Sequence, residues 1–421
     1  MNYRLFRSIL FIPISIFANT NMLHLVEHAF DYRSDLRSAR EIILFQKHEE
    51  WAELSGYFPQ IHVDFDPQKT NVQPPVGHLE ANVAIEQLVY SAAGPYQRYK
   101  IAIKSTEIAQ LREQLKENQI QYEVEHSMLD RWVVQQQKAY LDALDQAAYT
   151  KLSQAKKRYV VALLSDTELL HEERKYAQIS ADIKSYDNDI DTSLFAVNRM
   201  LERPTALAVS EEYTAQFVAE NIEKAYAITL DSYIHAALGN RKELAIKDIE
   251  IEQLRMQEAY EKRFYMPTIK CFLYYSKADP FFTAGTFETV IWQVGVTFAW
   301  DFDGFKHAHH SKAVDNQYLS TIFEKTNLQQ SIKLEVQVAY NDLQKMLKQL
   351  EAAQIKIKQQ KQNYASQKKR SQIGLVSPVE MAQAQYEWEQ AQFDLEQLEL
   401  MIAKKERELL YKSGYPQELV T

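Results

Sequence analysis

Two stretches of this 421-residue chain hold neither glycine nor proline: one between Pro95 and Pro204, the other between Gly304 and Gly374. These are the strongest helix breakers, at roughly 1 and 3 kcal/mol per position. A chain that avoids both over such distances is most simply helical there. Taking 313–372 as one helix gives a rod of about 90 Å at 1.5 Å per residue, far beyond an ordinary globular helix. Only 9 Gly and 11 Pro occur in all, beside 25% charged residues, a profile of long helices. Inside the rod, Val336, Leu343, Leu350, Ile357 and Tyr364 step by seven. Ile332, Ala339, Met346 and Ala353 form a companion row, which completes a coiled-coil seam.

The phrase "IGLVSPVEMAQ" (373–383) ends that rod and starts another helix. Ser377 suits an N-cap, Pro378 the first helical position, and Glu380 completes a capping box. A return helix over 378–411 follows, with Met381, Trp388, Leu395 and Ile402 again seven apart. The same phrase stands upstream as "VALLSDTELLH" (161–171), and "KKR" precedes both. The interval from Ser165 to Ser377 is the same as that from Glu168 to Glu380 and from Leu163 to Leu375.

The breakers cluster instead at 56–95 and 265–304. In "ETVIWQVGVTFAWDFDG" (288–304), Val294, Val296, Phe298 and Trp300 fall on one face of a strand, and Gly295, Thr297 and Ala299 on the other. "YMPTIKCFLYYS" (265–276) is its partner. In the earlier island "YFPQIHVDF" sets Ile61, Val63 and Phe65 against Gln60, His62 and Asp64. "ANVAIEQLVY" sets Val83, Ile85 and Val89 against Glu86. One apolar and one polar face is the pattern of a transmembrane β-barrel strand, although a half-buried soluble sheet alternates in the same way. "RSDLRSAREI" (33–42) pairs with "RKELAIKDIE" (241–250), and the same offset then brings Tyr57–Ile61 onto Tyr265–Ile269.

The expected organisation is therefore mostly α with a small β part, in two internal repeats of long coiled helices plus a β-hairpin. The first repeat spans 21–204, with its hairpin at 57–90 and its tip at 161–168. The second spans 205–421, with its hairpin at 265–304 and its tip at 373–380. Residues 1–20 read as a signal peptide: Arg4 and Arg7, an apolar run from Ile9 to Phe17, then small and polar residues. Four amphipathic strands cannot close a barrel, and an open edge in lipid leaves backbone groups unpaired at several kcal/mol each. Several copies must then pool their strands around one conduit.

Along the whole mature chain, these features resemble the TolC family of trimeric outer-membrane efflux proteins. The matches are the "DLRSAR…YFPQI" and "KEL…YMPTI" helix-to-strand junctions, "VGVTFAWDFDG", and "RSQIGLVSPVEMAQAQYEWEQAQ". The resemblance implies a homotrimer with a twelve-stranded barrel in outer-membrane lipid and a periplasmic α-helical tunnel. It implies an exit duct for efflux or type I secretion, served by a periplasmic adaptor and an inner-membrane pump. In such proteins small and apolar tip residues receive the adaptor. The matching positions are Ala162, Leu163, Leu164 and Ser165, and Gly374, Leu375, Val376 and Ser377, with Ala162 standing where the family usually has Gly. Acidic residues just past the tip line the aperture, which falls on Glu168 and Glu380. The family's further acidic positions are His171 and Gln383 here.

Other function classes find little support. No basic patch with interleaved aromatics suggests nucleic acid, and the single Cys271 excludes an intrachain disulfide framework. No phosphate loop, nucleophile elbow or spaced carboxylate–His–metal set is present, so neither enzyme activity nor a cofactor is expected. "HAHH" (307–310) is read as a solvated polar turn rather than a metal site. The alternative to a duct is a coiled-coil scaffold without a channel.

Overall fold

The computed structural model describes residues 22–69, 77–91, 94–202, 211–263, 265–280, 289–300, 304–373 and 375–415. The signal-peptide reading and Gly374 fall outside them. The first half of the chain contains α1 (Met22–Tyr32), α2 (Ser34–Ser55), β1 (Gln60–Lys69), β2 (Gly77–Ser91), α3 (Pro95–Val160) and α4 (Asp166–Leu201). The second contains α5 (Glu211–Ala227), α6 (Leu230–Asn240), α7 (Lys242–Glu261), β3 (Thr268–Pro280), β4 (Thr289–Ala299), α8 (Lys306–Gln372) and α9 (Pro378–Lys412).

The two series run in parallel. The element starts Met22 and Leu230, Ser34 and Lys242, and Gln60 and Thr268 are all related by one constant displacement. It is longer by three from Pro95 to Lys306, and by four from Asp166 to Pro378. Three residues are thus gained within the second hairpin and one within the second long helix. Helix α5 has no counterpart among the described residues of the first half. It was not foreseen in the sequence, where its period merges with those of its neighbours.

The chain clusters into two compact units. One holds Asp35–Glu117 and Ala237–Leu334, the other everything to Ser34, Asn118–Ala236 and Glu335–Thr421. In the first unit the four strands form one antiparallel meander in the order β1-β2-β3-β4. Strands β2 and β3, from different halves, pair from His78/Pro280 to Ser91/Thr268. The register shifts between Leu88 and Tyr90, where Val89 is the extra residue of a bulge. Tyr90 rather than Val89 therefore pairs with Ile269, which corrects the simple alternation expected for this strand.

Helix α3 starts with Pro95, a residue suited to the first helical position because its missing N–H would be unbonded there anyway. Gln-to-Glu pairs four residues apart support the helices. Gln119 Nε2 donates to Glu123 Oε1 at 2.7 Å, and Gln385 Nε2 to Glu389 Oε1 at 2.9 Å; such pairs contribute a few tenths of a kcal/mol each. Along α8 the buried row is Ile332, Val336, Ala339, Leu343, Leu347 and Leu350. Leu347 takes the place expected for Met346, which is only half-buried. A straight helix drifts about 20° per heptad, and the eleven-residue step from Val336 to Leu347 absorbs that drift. Beyond Leu350 the spacing returns to Ala353, Ile357 and Tyr364, all half-buried. Between α8 and α9, Tyr364 and Trp388 stack at 5.2 Å and 9°.

Helix α8 begins before the expected start at 313, so His307 to His310 lie in its opening turns and not in a loop. His307 Nδ1 sits 3.1 Å from Glu261 Oε2 on α7. Among the described residues no group of three or more His, Cys, Asp or Glu side chains could hold a metal. Nor is any described helix long and apolar enough to cross a membrane.

Candidate functional site: an amphipathic sheet and two capped tips

Directly opposed residues in an antiparallel pair share a face, so the register sorts the sheet. One face carries Val294–Leu273–Ile85–Ile61 as a continuous row, then Trp292–Tyr275–Val83–Val63, then Val290–Lys277–Ala81–Phe65. Val296 with Cys271 and Phe298 with Ile269 extend it. These side chains are not packed away: Val294 is 70% exposed, Trp292 72% and Phe65 70%. Trp300 is also exposed but stands one residue beyond the end of β4, so it does not lie on that strand as expected.

The opposite face is polar and internally bonded. Lys270 Nζ lies 3.0 Å from Glu86 Oε2, and Tyr274 Oη donates to Asn82 Oδ1 at 2.8 Å. Gln60, His62, Asp64, Gln293 and Thr297 share this side. Phe272 also lies here, over Gly295, where a Cβ would fall 2.6 Å from the ring. Glycine is what permits the ring to lie against the backbone. Phe272 and Tyr274 are apolar-looking residues on the polar face, and they hid the alternation of β3. Its row of Ile269, Leu273 and Tyr275 on the apolar face has no clean alternation in the sequence.

The tips are built by local chemistry. Ala162 adopts a left-handed conformation with φ +57°. Its N–H donates to Tyr159 O at 2.9 Å, and the Leu163 N–H reaches back to Arg158 O at 2.9 Å. That return, closing on the carbonyls α3 leaves unbonded, is a Schellman-type stop. At the second tip the Leu375 N–H donates to Arg370 O at 3.0 Å, the same bond made by the corresponding residues. Lys157 and Arg158, and Lys369 and Arg370, lie in the last turns of α3 and α8, where cations complement the helix dipole.

Both return helices open with a full capping box. Ser165 Oγ accepts from the Glu168 N–H at 3.4 Å, while Glu168 Oε2 accepts from the Ser165 N–H at 3.0 Å and from its hydroxyl at 2.8 Å. Ser377 and Glu380 repeat the set at 3.2, 3.0 and 3.1 Å. The Ser165 backbone and side-chain bonds hold the Glu168 carboxyl below its ordinary range. Each candidate aperture carboxylate is thus folded back onto its own helix start. Around them the surface is apolar: Leu163 is 69% and Leu375 72% exposed, Leu164 and Val376 are less so, and Val160, Val161 and Ile373 are exposed too.

The comparisons with known proteins agree with this architecture. Residues 233–413 match the outer membrane efflux protein family. No curated protein sequence matches the chain. Among solved structures, CusC shares the fold with a TM-score of 0.74 and 12% identity over 95% of both chains. The Campylobacter jejuni outer membrane channel CmeC gives 0.73 and 12% over 94% of this chain and 85% of its own. The outer membrane protein VceC from Vibrio cholerae gives 0.72 and 13% over 93% and 96%. These matches bear out the TolC-family resemblance read from the junctions, strands and tips. Over more than nine-tenths of its length the chain has the fold of the solved outer-membrane channels.

Proposed function

We propose that the protein is the outer-membrane exit duct of an efflux or type I secretion system, a passive conduit with no chemistry of its own. The observation that carries this reading is the four-stranded sheet, apolar on one face, polar on the other, with β1 and β4 as its two edges. An unpaired edge in hydrocarbon costs several kcal/mol per backbone group. Pairing β4 of one copy with β1 of the next removes it, and three copies give the twelve strands implied by the family. The face bearing Val294, Val296 and Phe298 would meet lipid, and the face bearing Lys270, Glu86 and Tyr274 would line water. Strand β4, at 11 residues, has the length a tilted transmembrane strand needs, about 9–11.

In this reading the sheet serves the outer membrane and the long helices the periplasm. The exposed apolar tips, Ala162 to Ser165 and Leu375 to Ser377, together with Gly374, are the docking surface for a periplasmic adaptor, through which an inner-membrane pump supplies cargo and energy. Glu168 and Glu380 line the aperture as well as capping their helices, and a ring of carboxylates there would favour cations. Replacing both by Ala in planar bilayers should raise ion leakage; unchanged conductance would leave them as caps only.

The test of the duct itself is assembly. Single-cysteine pairs placed on β1 and β4, in a Cys271→Ser background, should cross-link only between copies and yield a covalent trimer in detergent. A chain that stays monomeric and soluble in plain buffer contradicts the reading and favours the scaffold.

A further inference from the structure

Glu406, on α9, is fully buried, and its surroundings are unusual for a carboxylate. Tyr233 of α6, itself fully buried, donates to Oε1 at 3.1 Å, whereas Oε2 has no hydrogen-bond partner. The charged groups acting on it are Arg407 on its own helix, Lys224 from α5 and Glu125 from α3. None of them forms a close pair with it. Arg407 is drawn elsewhere: its guanidinium lies 4.7 Å over the ring of Phe217 on α5 and 3.8 Å from Glu125, and its Nε is unbonded. Glu125 is held by Gln121 and by the Tyr415 hydroxyl, at 3.0 and 3.2 Å. On α5, one turn beyond Phe217, the buried Asn221 has an Oδ1 without a donor. A buried acceptor without a donor is costly, and an ionised carboxylate with an empty oxygen far more so.

The first half of the chain shows that the fold does not require this arrangement. Under the displacement that relates α1 to α6, Tyr233 corresponds to Leu25. Under the one that relates α4 to α9, Glu406 corresponds to Leu194. Leu25 is buried and α1 packs against α4. Where one half uses two leucines, the other uses a phenol and a carboxyl.

We propose that Glu406 is a proton-controlled clasp, which in its neutral form fastens α9 to α6 and in its ionised form releases it. A protonated carboxyl has no charge to desolvate and still accepts from the Tyr233 hydroxyl. Burial, as the largest influence, raises the Glu406 carboxyl to about 7 from an ordinary 4.5, with the Glu125 charge adding to it and Arg407, Tyr233 and Lys224 opposing. Because the value is raised in the closed state, the contribution is complete below 4.5 and is lost as pH rises through about 7. The clasp belongs to one folded unit and stands whether or not the duct assembles as proposed.

Hydrogen exchange of α6 and α9 amides in the full-length protein tests it, taking the ratio of wild type to Glu406→Gln at each pH to cancel base catalysis. The ratio should climb by about 70-fold between pH 5 and 8 for a carboxyl moving from about 7 to 4.5 on opening. A constant ratio overturns the clasp. Glu406→Leu, which copies the first half, should behave as Glu406→Gln. Should neither variant fold, isotope-edited carboxyl spectroscopy of the wild type decides: Glu406 still protonated at pH 6 supports the clasp, and ionised at pH 6 overturns it.

Discussion

The two halves of this chain solve the same local problems with different residues. At the tips the solution is shared: the returns onto Arg158 and Arg370 recur at corresponding positions, and so do both capping boxes. At the stop itself they part, since Ala162 holds a left-handed backbone where the second half places Gly374. Beside α9 the second half places the buried Tyr233–Glu406 pair, against Leu25 and Leu194 in the first. What is duplicated is the geometry that lets strands and tips fit a repeated pattern. What diverges lies in the helices beside them, where no second copy of the feature is needed to close the structure.

The sheet offers the strongest way to break this equivalence. Ile85 on β2 and Val296 on β4 correspond under the displacement that relates Pro95 to Lys306, and both lie on the apolar face. Ile85→Lys and Val296→Lys should each cost about 2–4 kcal/mol per copy if that face meets hydrocarbon, and abolish trimer recovery from membranes. Gln293→Lys, on the polar face, should assemble normally. If only one of the two apolar substitutions fails, the halves are not equivalent in lipid.

Smaller effects sharpen the comparison at the tips. Ser165→Ala and Ser377→Ala should each destabilise the local hairpin by about 1 kcal/mol, read as faster exchange of amides in the first turns of α4 and α9. Equal losses would confirm that the two caps do equal work. Ala162→Gly should slow exchange around the first tip by up to about 1 kcal/mol, because a left-handed alanine is strained by roughly that much. Least of all, the first tip should weaken as pH falls below the ordinary carboxylate range and through the lowered Glu168 value. Glu168→Gln should remove that acid dependence.

Much of this was legible in the sequence alone. The long helices follow from where glycine and proline are missing, and the tips from Ser–x–x–Glu behind a basic turn, because both signals are local. The apolar face of β4 was legible because Val294, Val296 and Phe298 alternate with small or polar residues. Less was legible where packing decides. Leu347 replaces Met346 because helical pitch and heptad spacing do not match over such a length. Val89 loses its partner to a bulge, and the row on β3 is masked by Phe272 and Tyr274 facing the other way. Helix α5 and the buried Glu406 left no readable pattern, since one more amphipathic stretch and one more glutamate look like their neighbours in a chain this rich in both.

The central claim is that the amphipathic sheet of one chain is a third of a closed barrel. Cryo-electron microscopy of detergent-purified protein tests it most directly. The account predicts a threefold hollow particle in which β4 of each copy pairs with β1 of the next around a twelve-stranded wall. A solid rod, or a particle in which those two edges remain unpaired, would contradict it.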